Sequence, residues 1–140
     1  MRVIDAVRYN IRDNEAADEW ANLLPPRGHI VYVDDTFTTN PKAFTVTLFH
    51  QLKCLDIIRQ EYVVVPPPQE PTHLARHCMN YLRQTILCRP NLRLEPAINE
   101  GGIAERNYDT VCHDWTRVYE EAERNQKAFT DHRKREAVVY

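Results

Sequence analysis

The amino-acid sequence predicts a mainly α-helical, small single domain of about three to four helices with a short β-ribbon. Apolar side chains recur every three or four residues over 43–62 and again over 72–88, which is the period of an amphipathic helix. Nine prolines divide the chain into short elements. The length of 140 residues suits one domain, and we expect its core at about 18–125 and a charged helical tail at 126–140.

The predicted ends of the helices and strands follow from helix-capping residues and from residues that interrupt helices. A short helix is predicted over Asn14–Leu24 with Asn14 as its cap, a strand over His29–Val33, and long helices over Ala43–Tyr62 and Thr72–Cys88. A last helix is expected from Asp109 or Thr110, after irregular loops at 34–42 and 89–109. The residues predicted to point inward are Ala17, Trp20, Ala21, Leu24, Phe44, Leu48, Leu52, Leu55, Ile58, Tyr62, Leu74, His77, Cys78, Tyr81, Leu82, Thr85, Ile86, Leu92, Leu94, Trp115, Val118, Tyr119 and Ala122.

Composition excludes several classes of function. Lys and Arg number 18 against 20 Asp and Glu, for a net charge of −2, whereas a nucleic-acid binder needs a basic surface. Three glycines at this spacing cannot form a phosphate-binding loop. No apolar stretch is long enough to span a bilayer. The chain as written is expected to be soluble, and to lie in the cytoplasm or a lumen if an anchor was removed.

Histidines on the two long helices are the candidate catalytic residues. His50 and Lys53 share one helical face, and His73 and His77 share another. If the two helices pack antiparallel, these side chains meet in one cleft. His50 and His77 can move protons near neutral pH, and a partly buried Lys53 can stabilise developing negative charge. Each of them also has a structural interpretation: core histidines, a surface His73 and a lysine whose stem covers apolar surface.

The four cysteines leave their roles open. Cys54 with Cys78, and Cys88 with Cys112, are conceivable disulfides by spacing, but four cysteines do not determine their own pairing. A structural zinc ion held by His50, Cys54, His77 and Cys78 is an alternative. A cysteine nucleophile is disfavoured, because no accompanying Cys-His-Asn order occurs.

Three segments resemble the fungal UstYa-type family: HQLKCLDIIRQEY, HLARHCMNYLRQTILC and VCHDWTRVYEEAE. The family signature is a pair of H-x-x-H-C motifs on successive helices, followed by a Cys-Arg-Asp-Trp segment, and the match covers roughly 18–125. The resemblance implies a tailoring enzyme of secondary-metabolite (mycotoxin) biosynthesis that acts on a peptide, polyketide or terpenoid intermediate. It also implies copper-dependent oxidative cyclisation, hydroxylation or halogenation, and an N-terminal membrane anchor in most relatives.

The sequence departs from that signature at potential ligand positions. Lys53 replaces the second histidine of the first motif, and His73 lies one residue before the position that Leu74 occupies. In the third segment Thr110 and His113 stand where the family has His and Arg. An ammonium group has no lone pair for a metal. The favoured hypothesis is therefore a metal-independent, cofactor-free cyclase or isomerase that uses His50, Lys53, His73 and His77.

Two alternatives remain. The first is a copper oxidase of the ordinary family kind, in which His50, His73 and His77 are the ligands, since neutral imidazoles bind copper well. The second is a non-catalytic partner that binds a pathway intermediate or pairs with an active homologue. A homodimer is a separate expectation about assembly. In every case the expected partner is a small-molecule pathway intermediate.

Overall fold

The computed structural model describes residues 1–3, 8–33, 41–95 and 108–138. In these ranges the chain forms, in order, β1 (Arg2–Val3), α1 (Asn14–Ala21), β2 (Ile30–Val33), β3 (Lys42–Thr45), α2 (Thr47–Val63), α3 (His73–Cys88), β4 (Tyr108–Asp109) and α4 (Thr116–Val138). Strand β1 pairs antiparallel with β4, and β2 pairs antiparallel with β3. The predicted fold class, a mainly helical domain with a short β-ribbon, is confirmed. The loop predictions for 34–40 and 96–107 lie outside the described residues.

The N-terminal cap of α1 lies one residue earlier than predicted. Asp13 is the cap, because its carboxylate accepts a hydrogen bond from the Ala16 backbone N–H at 2.7 Å; the prediction of Asn14 as cap was wrong. Turn hydrogen bonds from the backbone of residues 22–24 end the helix at Ala21, before the predicted Leu24. Ala16 is fully buried and Ala17 exposed, so the inward face lies one residue from the predicted one.

The start of α2 was placed too early. Lys42–Thr45 pairs with Ile30–Val33 as the second strand of a hairpin, so the helix begins only at Thr47. The predicted strand over His29–Val33 is confirmed to within one residue. Phe44 therefore belongs to a strand and is half-exposed. Helical spacing of apolar residues over 43–45 was fortuitous, since three residues do not distinguish a helix from a strand.

The buried face of α2 differs from the predicted apolar stripe. Phe49, Cys54 and Asp56 are buried, whereas Leu55 and Tyr62 of the stripe are exposed. The Asp56 carboxylate accepts hydrogen bonds from Arg59 Nε at 2.9 Å and from Gln60 Nε2 at 2.6 Å. A buried charge is tolerated when side chains that hydrogen-bond or pair with it are held next to it. The amphipathic pattern alone would place Asp56 on the solvent-facing side of the helix.

Helix α3 matches its predicted bounds closely. Thr72 is the cap, with its hydroxyl accepting from the Ala75 N–H at 3.1 Å, and the helix ends at Cys88. Ala75 and Cys78 are its buried residues, whereas Leu74 and Ile86 of the predicted inward stripe are exposed. Leu92 and Leu94, which were also predicted to point inward, are 83% and 92% exposed, so that prediction was wrong.

Helix α4 begins later than predicted, at Thr116, and continues to Val138. Thr110 instead extends the β1–β4 ribbon, since the Thr110 N–H donates to the Met1 carbonyl at 2.8 Å. Asp114 accepts a hydrogen bond from the Thr116 N–H at 3.1 Å at the start of this helix. Trp115 is half-exposed, contrary to prediction, but Ala122 is buried as predicted.

Aromatic contacts and side-chain amides fix α4 against the rest of the chain. Tyr119 meets the fully buried Phe49 of α2 edge to face, with ring centroids 4.8 Å apart. Asn125 accepts from the Tyr32 N–H and donates to the Tyr32 carbonyl, both at 2.7 Å. Gln126 Nε2 donates to the carbonyls of Gly28 and Ile30. Two amide side chains thus occupy the hydrogen-bonding edge of β2 that a further strand would otherwise fill.

Candidate active site

A disulfide bond joins the two long helices. Cys54 of α2 and Cys78 of α3 are bonded, their Cα atoms are 4.8 Å apart, and both are almost completely buried. Glu61 near the end of α2 binds Thr72 at the start of α3, so the helices run antiparallel as the cleft prediction requires. Cys88 and Cys112 are free and exposed, so the second disulfide considered from the sequence, Cys88 with Cys112, was wrong.

The zinc alternative was also wrong. A zinc site needs cysteine thiolates as ligands, and the sulfur atoms of Cys54 and Cys78 are bonded to each other instead. The four-residue set proposed from sequence therefore has no thiolate to offer.

The disulfide positions a pair of imidazoles. His50 lies one helical turn before Cys54, and His77 is the residue before Cys78. Their ring centroids are 5.9 Å apart and the ring planes are inclined by 20°. The His50 side chain is half-buried, whereas His77 is exposed. The two helices thus bring one shielded and one solvent-reachable imidazole to the same place.

Tyr81 completes this group of rings. It lies one turn after His77 on α3, and its ring stacks on His50 with centroids 4.0 Å apart and planes inclined by 22°. The Tyr81 ring is also nearly parallel to that of His77, at 6.3 Å. Stacking limits the rotation of the His50 ring, so His50 presents its ring nitrogens in a fixed direction.

The surroundings of His50 favour its neutral form. Burial lowers the pKa of His50, because a charged imidazolium loses hydration there, and the positive charges of His77 and His29 lower it further. A neutral imidazole has one ring nitrogen with a free lone pair. At neutral pH, His50 is therefore ready to accept a proton or to bind a metal.

This lowered pKa gives a prediction for stability. The unfolded chain binds a proton at His50 near the ordinary pKa of about 6.5, and the folded chain only at lower pH. The contribution of His50 to the free energy of unfolding is therefore fully present above about pH 6.5. It falls as the pH drops from there toward the pKa of His50 in the folded protein. Urea unfolding from pH 7.5 to 5 should show a steeper loss for the wild type than for His50→Gln. Parallel pH profiles of the two proteins would contradict the assignment.

Lys53 lies three residues after His50 on α2, and its contact is with another cluster. Its Nζ is 3.7 Å from Asp56 Oδ2, and about a third of its side chain is exposed. Asp56 is held more closely by Arg59. Lys53 is thus part of the ion-pair group that neutralises the buried Asp56, and its predicted role at the imidazoles stays a prediction.

The remaining predicted site residue, His73, is exposed, and so are two residues of the third family segment that were not predicted to act in catalysis. His73 is the first residue of α3 and one turn before His77. His113 and Cys112 of the third segment are exposed, and Cys112 Sγ lies 3.8 Å from Met1 Sδ. Within the part of the chain that the structure describes, no three His, Cys, Asp or Glu side chains converge as a metal site.

Two residues of this region were not among the candidates. Tyr81 was taken as a core residue, although its spacing of four from His77 places both on one helical face. His29 precedes β2 and acts on His50 through its charge. Nothing in the local sequence around His29 marks this relation, because it depends on how the hairpin packs against the helices.

No helix in the described ranges is both long and apolar enough to cross a bilayer.

The chain is a small helical domain in which a disulfide links two helices. Each helix carries a histidine motif, H-x-x-K-C on α2 and H-x-x-x-H-C on α3, and the two histidines face each other. These features define a class of small helical domains with paired histidine motifs. The family model described as "Mycotoxin biosynthesis protein UstYa" matches residues 12–125, and the chain belongs to this family.

Curated relatives come from the fungus Diaporthe leptostromiformis. The chain is 27% identical over 123 residues to the UstYa family oxidase phomYb, which covers 75% of this chain and 48% of the relative. It is 33% identical over 81 residues to the UstYa family oxidase phomYd, covering 51% of this chain and 26% of the relative. The chain thus spans half or less of the length of these relatives. No solved structure is detectably similar to it.

Proposed function

We propose that this chain catalyses a metal-independent cyclisation or isomerisation of a fungal secondary-metabolite intermediate, with His50 as the general base. The observation that supports this most is the pair of imidazoles 5.9 Å apart, one shielded and one exposed, on helices joined by a disulfide. Membership of a mycotoxin biosynthesis family supports the substrate class: a polyketide, terpenoid or peptide.

The chemistry proposed for the pair is a proton transfer without net oxidation. His50, neutral because its pKa is lowered, accepts a proton from an activated C–H bond of the substrate. In an isomerisation the electron pair of the C–H bond is delocalised onto a neighbouring carbonyl oxygen, and the proton is returned to a different carbon of the resulting enolate. In a cyclisation the same pair forms a C–C bond to a carbonyl carbon, whose C=O π bond breaks and leaves an alkoxide that takes up the proton. His77 is the proposed proton donor in both cases. Lys53 and His73 are secondary candidates, for stabilising the oxyanion and for binding the substrate.

The residues described do not fit a complete copper site. Copper in proteins is held by several converging imidazole, thiolate or carboxylate donors, and no group of three such side chains exists among the described residues. Cys54 and Cys78 are bonded to each other. At the position of the second family histidine, Lys53 offers an ammonium that pairs with Asp56.

A copper-dependent oxidase is the second candidate, favoured by the names of both relatives. His50 and His77 supply two imidazoles for it, and His73 follows the same helix one turn earlier. Further ligands would have to come from another copy or from chain beyond these residues. The non-catalytic partner is the third candidate, and the exposed His77 fits it as well as it fits an enzyme.

Copper content and oxygen dependence separate the first two candidates. The substrate is the intermediate that accumulates when the gene is deleted in the producing fungus. We expect EDTA-treated protein, under nitrogen, to convert it at the same rate as untreated protein in air. Elemental analysis should show less than about 0.1 copper per chain. Stoichiometric copper that His50→Gln removes, together with oxygen-dependent turnover, would overturn the proposal in favour of the oxidase.

A further inference from the structure

A cavity lies between α2 and α3, at the end where the linker joins them. It has a volume of about 670 Å³, and its apolar lining is formed by Ile58 and Tyr62 of α2, Pro68 and Pro71 of the linker, and Ala75 and Met79 of α3. This volume lies within the range of small-molecule sites. Tyr62 is 65% exposed and Met79 58% exposed, so the cavity is open to solvent on their side.

Polar contacts fix the walls of this cavity. The Glu61 carboxylate accepts hydrogen bonds from the Thr72 N–H at 2.5 Å and from the Thr72 hydroxyl at 3.1 Å. Thr72 in turn caps α3. The end of the linker is therefore held to the last turns of α2, and the small side chain of the buried Ala75 leaves the space between them unfilled.

Two arginines, Arg76 and Arg83, line the rim, and Arg83 has no acidic partner among the residues that the structure describes. The Arg83 guanidinium has a neutral partner, Asn80 Oδ1, at 3.0 and 3.3 Å. Arg76 lies 3.8 Å from Glu70, and both side chains are mostly exposed, so this pair contributes little. The acidic group of the lining, Glu61, is engaged by Thr72. The rim thus favours an anionic group next to an apolar cavity.

This cavity is separate from the imidazole pair. At 3.6 residues per turn, Met79 points about 160° away from His77 around the axis of α3, and Tyr62 of α2 points about 120° away from His50. The buried disulfide lies between the two faces of the helix pair. A ligand in the cavity therefore occupies a site different from the one proposed for catalysis.

We propose that this cavity binds an apolar small molecule that bears one carboxylate. The hydrocarbon body fills the space bordered by Ile58, Tyr62 and Met79, and the carboxylate pairs with Arg83 at the rim, where Arg76 adds positive charge. The driving forces are burial of apolar surface and a charge-assisted hydrogen bond to a guanidinium. This inference does not depend on the proposed reaction, because binding is measured without turnover.

Calorimetric titration with decanoate tests the inference. We expect a single site of sub-millimolar affinity for decanoate, and binding of decanol and of decyltrimethylammonium that is about tenfold weaker or more, as loss of one charged pair would give. Arg83→Gln should weaken decanoate at least fivefold and leave decanol unchanged. Arg133→Gln, at an exposed position of α4, is the matched control and should change neither.

A second variant tests the inference without disturbing the fold, and it distinguishes a small-molecule ligand from a membrane or a second copy of the chain. Met79→Glu changes an exposed side chain, so the fold should persist by circular dichroism, whereas decanoate binding should fall about tenfold because an acidic group enters the mouth. Equal affinity for decanoate and decanol would overturn the inference. So would sedimentation with phosphatidylglycerol vesicles in the absence of decanoate binding, or a dimer that Met79→Glu dissociates while decanoate has no effect.

Discussion

Replacing His50 by glutamine is expected to lower the rate of product formation at least about 100-fold, the usual contribution of a general acid or base. Glutamine keeps a planar polar group against the Tyr81 ring but cannot accept the substrate proton. Because His50 is only half-buried and the helices stay joined through Cys54–Cys78, the fold should survive. The measurement is the initial rate of conversion of the accumulated intermediate, followed by liquid chromatography and mass spectrometry.

His113→Gln is the matched control, since His113 is exposed and precedes α4. It should leave the rate within about twofold of the wild type. His77→Gln should also lower the rate, because His77 faces His50. If folded His50→Gln retains the full rate, His50 is not the general base and the proposed mechanism is overturned. If the wild type itself gives no conversion, the hypothesis of a non-catalytic partner is preferred.

Removing the buried disulfide is expected to destabilise the protein by about 3 kcal/mol, the usual effect of opening a loop of this length. The bond closes a separation of 24 residues between α2 and α3, and its loss allows the unfolded chain more conformations. The double variant Cys54→Ala/Cys78→Ala avoids leaving one buried thiol alone. Urea unfolding followed by circular dichroism gives the free energy of unfolding.

The same variant should lose activity even where it remains folded. His50 and His77 are positioned through residues next to, or one turn from, the two cysteines, so freeing the helices lets the rings separate. Cys88→Ala is the matched control, because Cys88 is free and exposed, and should change stability by less than about 0.5 kcal/mol. A double variant as stable and as active as the wild type would show that helix packing alone positions the imidazoles.

Local signals predicted the helices well where a cap and a long apolar period coincide. Thr72 and the periodicity after it placed α3 correctly, because a side-chain cap depends only on residues within one turn. The start of α2 was misplaced because Lys42–Thr45 is recruited by the distant strand Ile30–Val33. Pairing with a distant strand competes with helix formation only once the hairpin has formed. The sequence around Lys42–Thr45 therefore does not indicate that these residues form a strand.

The buried face of α2 could not be predicted from hydropathy. Asp56 is buried because Arg59 and Gln60, both on the same helix, satisfy its carboxylate. Leu55 and Tyr62 are exposed because their face of the helix is not covered by another element in the described part of the chain. An apolar stripe identifies a face that favours burial, but only the positions of neighbouring elements decide which face is covered.

The sequence by itself determined the class of fold, the caps and extent of α3, the motif residues His50 and His77, and the family. These depend on the order and spacing of residues along single helices. The tertiary structure alone decided that Cys54 bonds Cys78, that Tyr81 stacks on His50 and that His29 lowers the pKa of His50. Such relations join residues 21 or more positions apart, and their energies depend on distances that exist only after the helices and the hairpin have packed together.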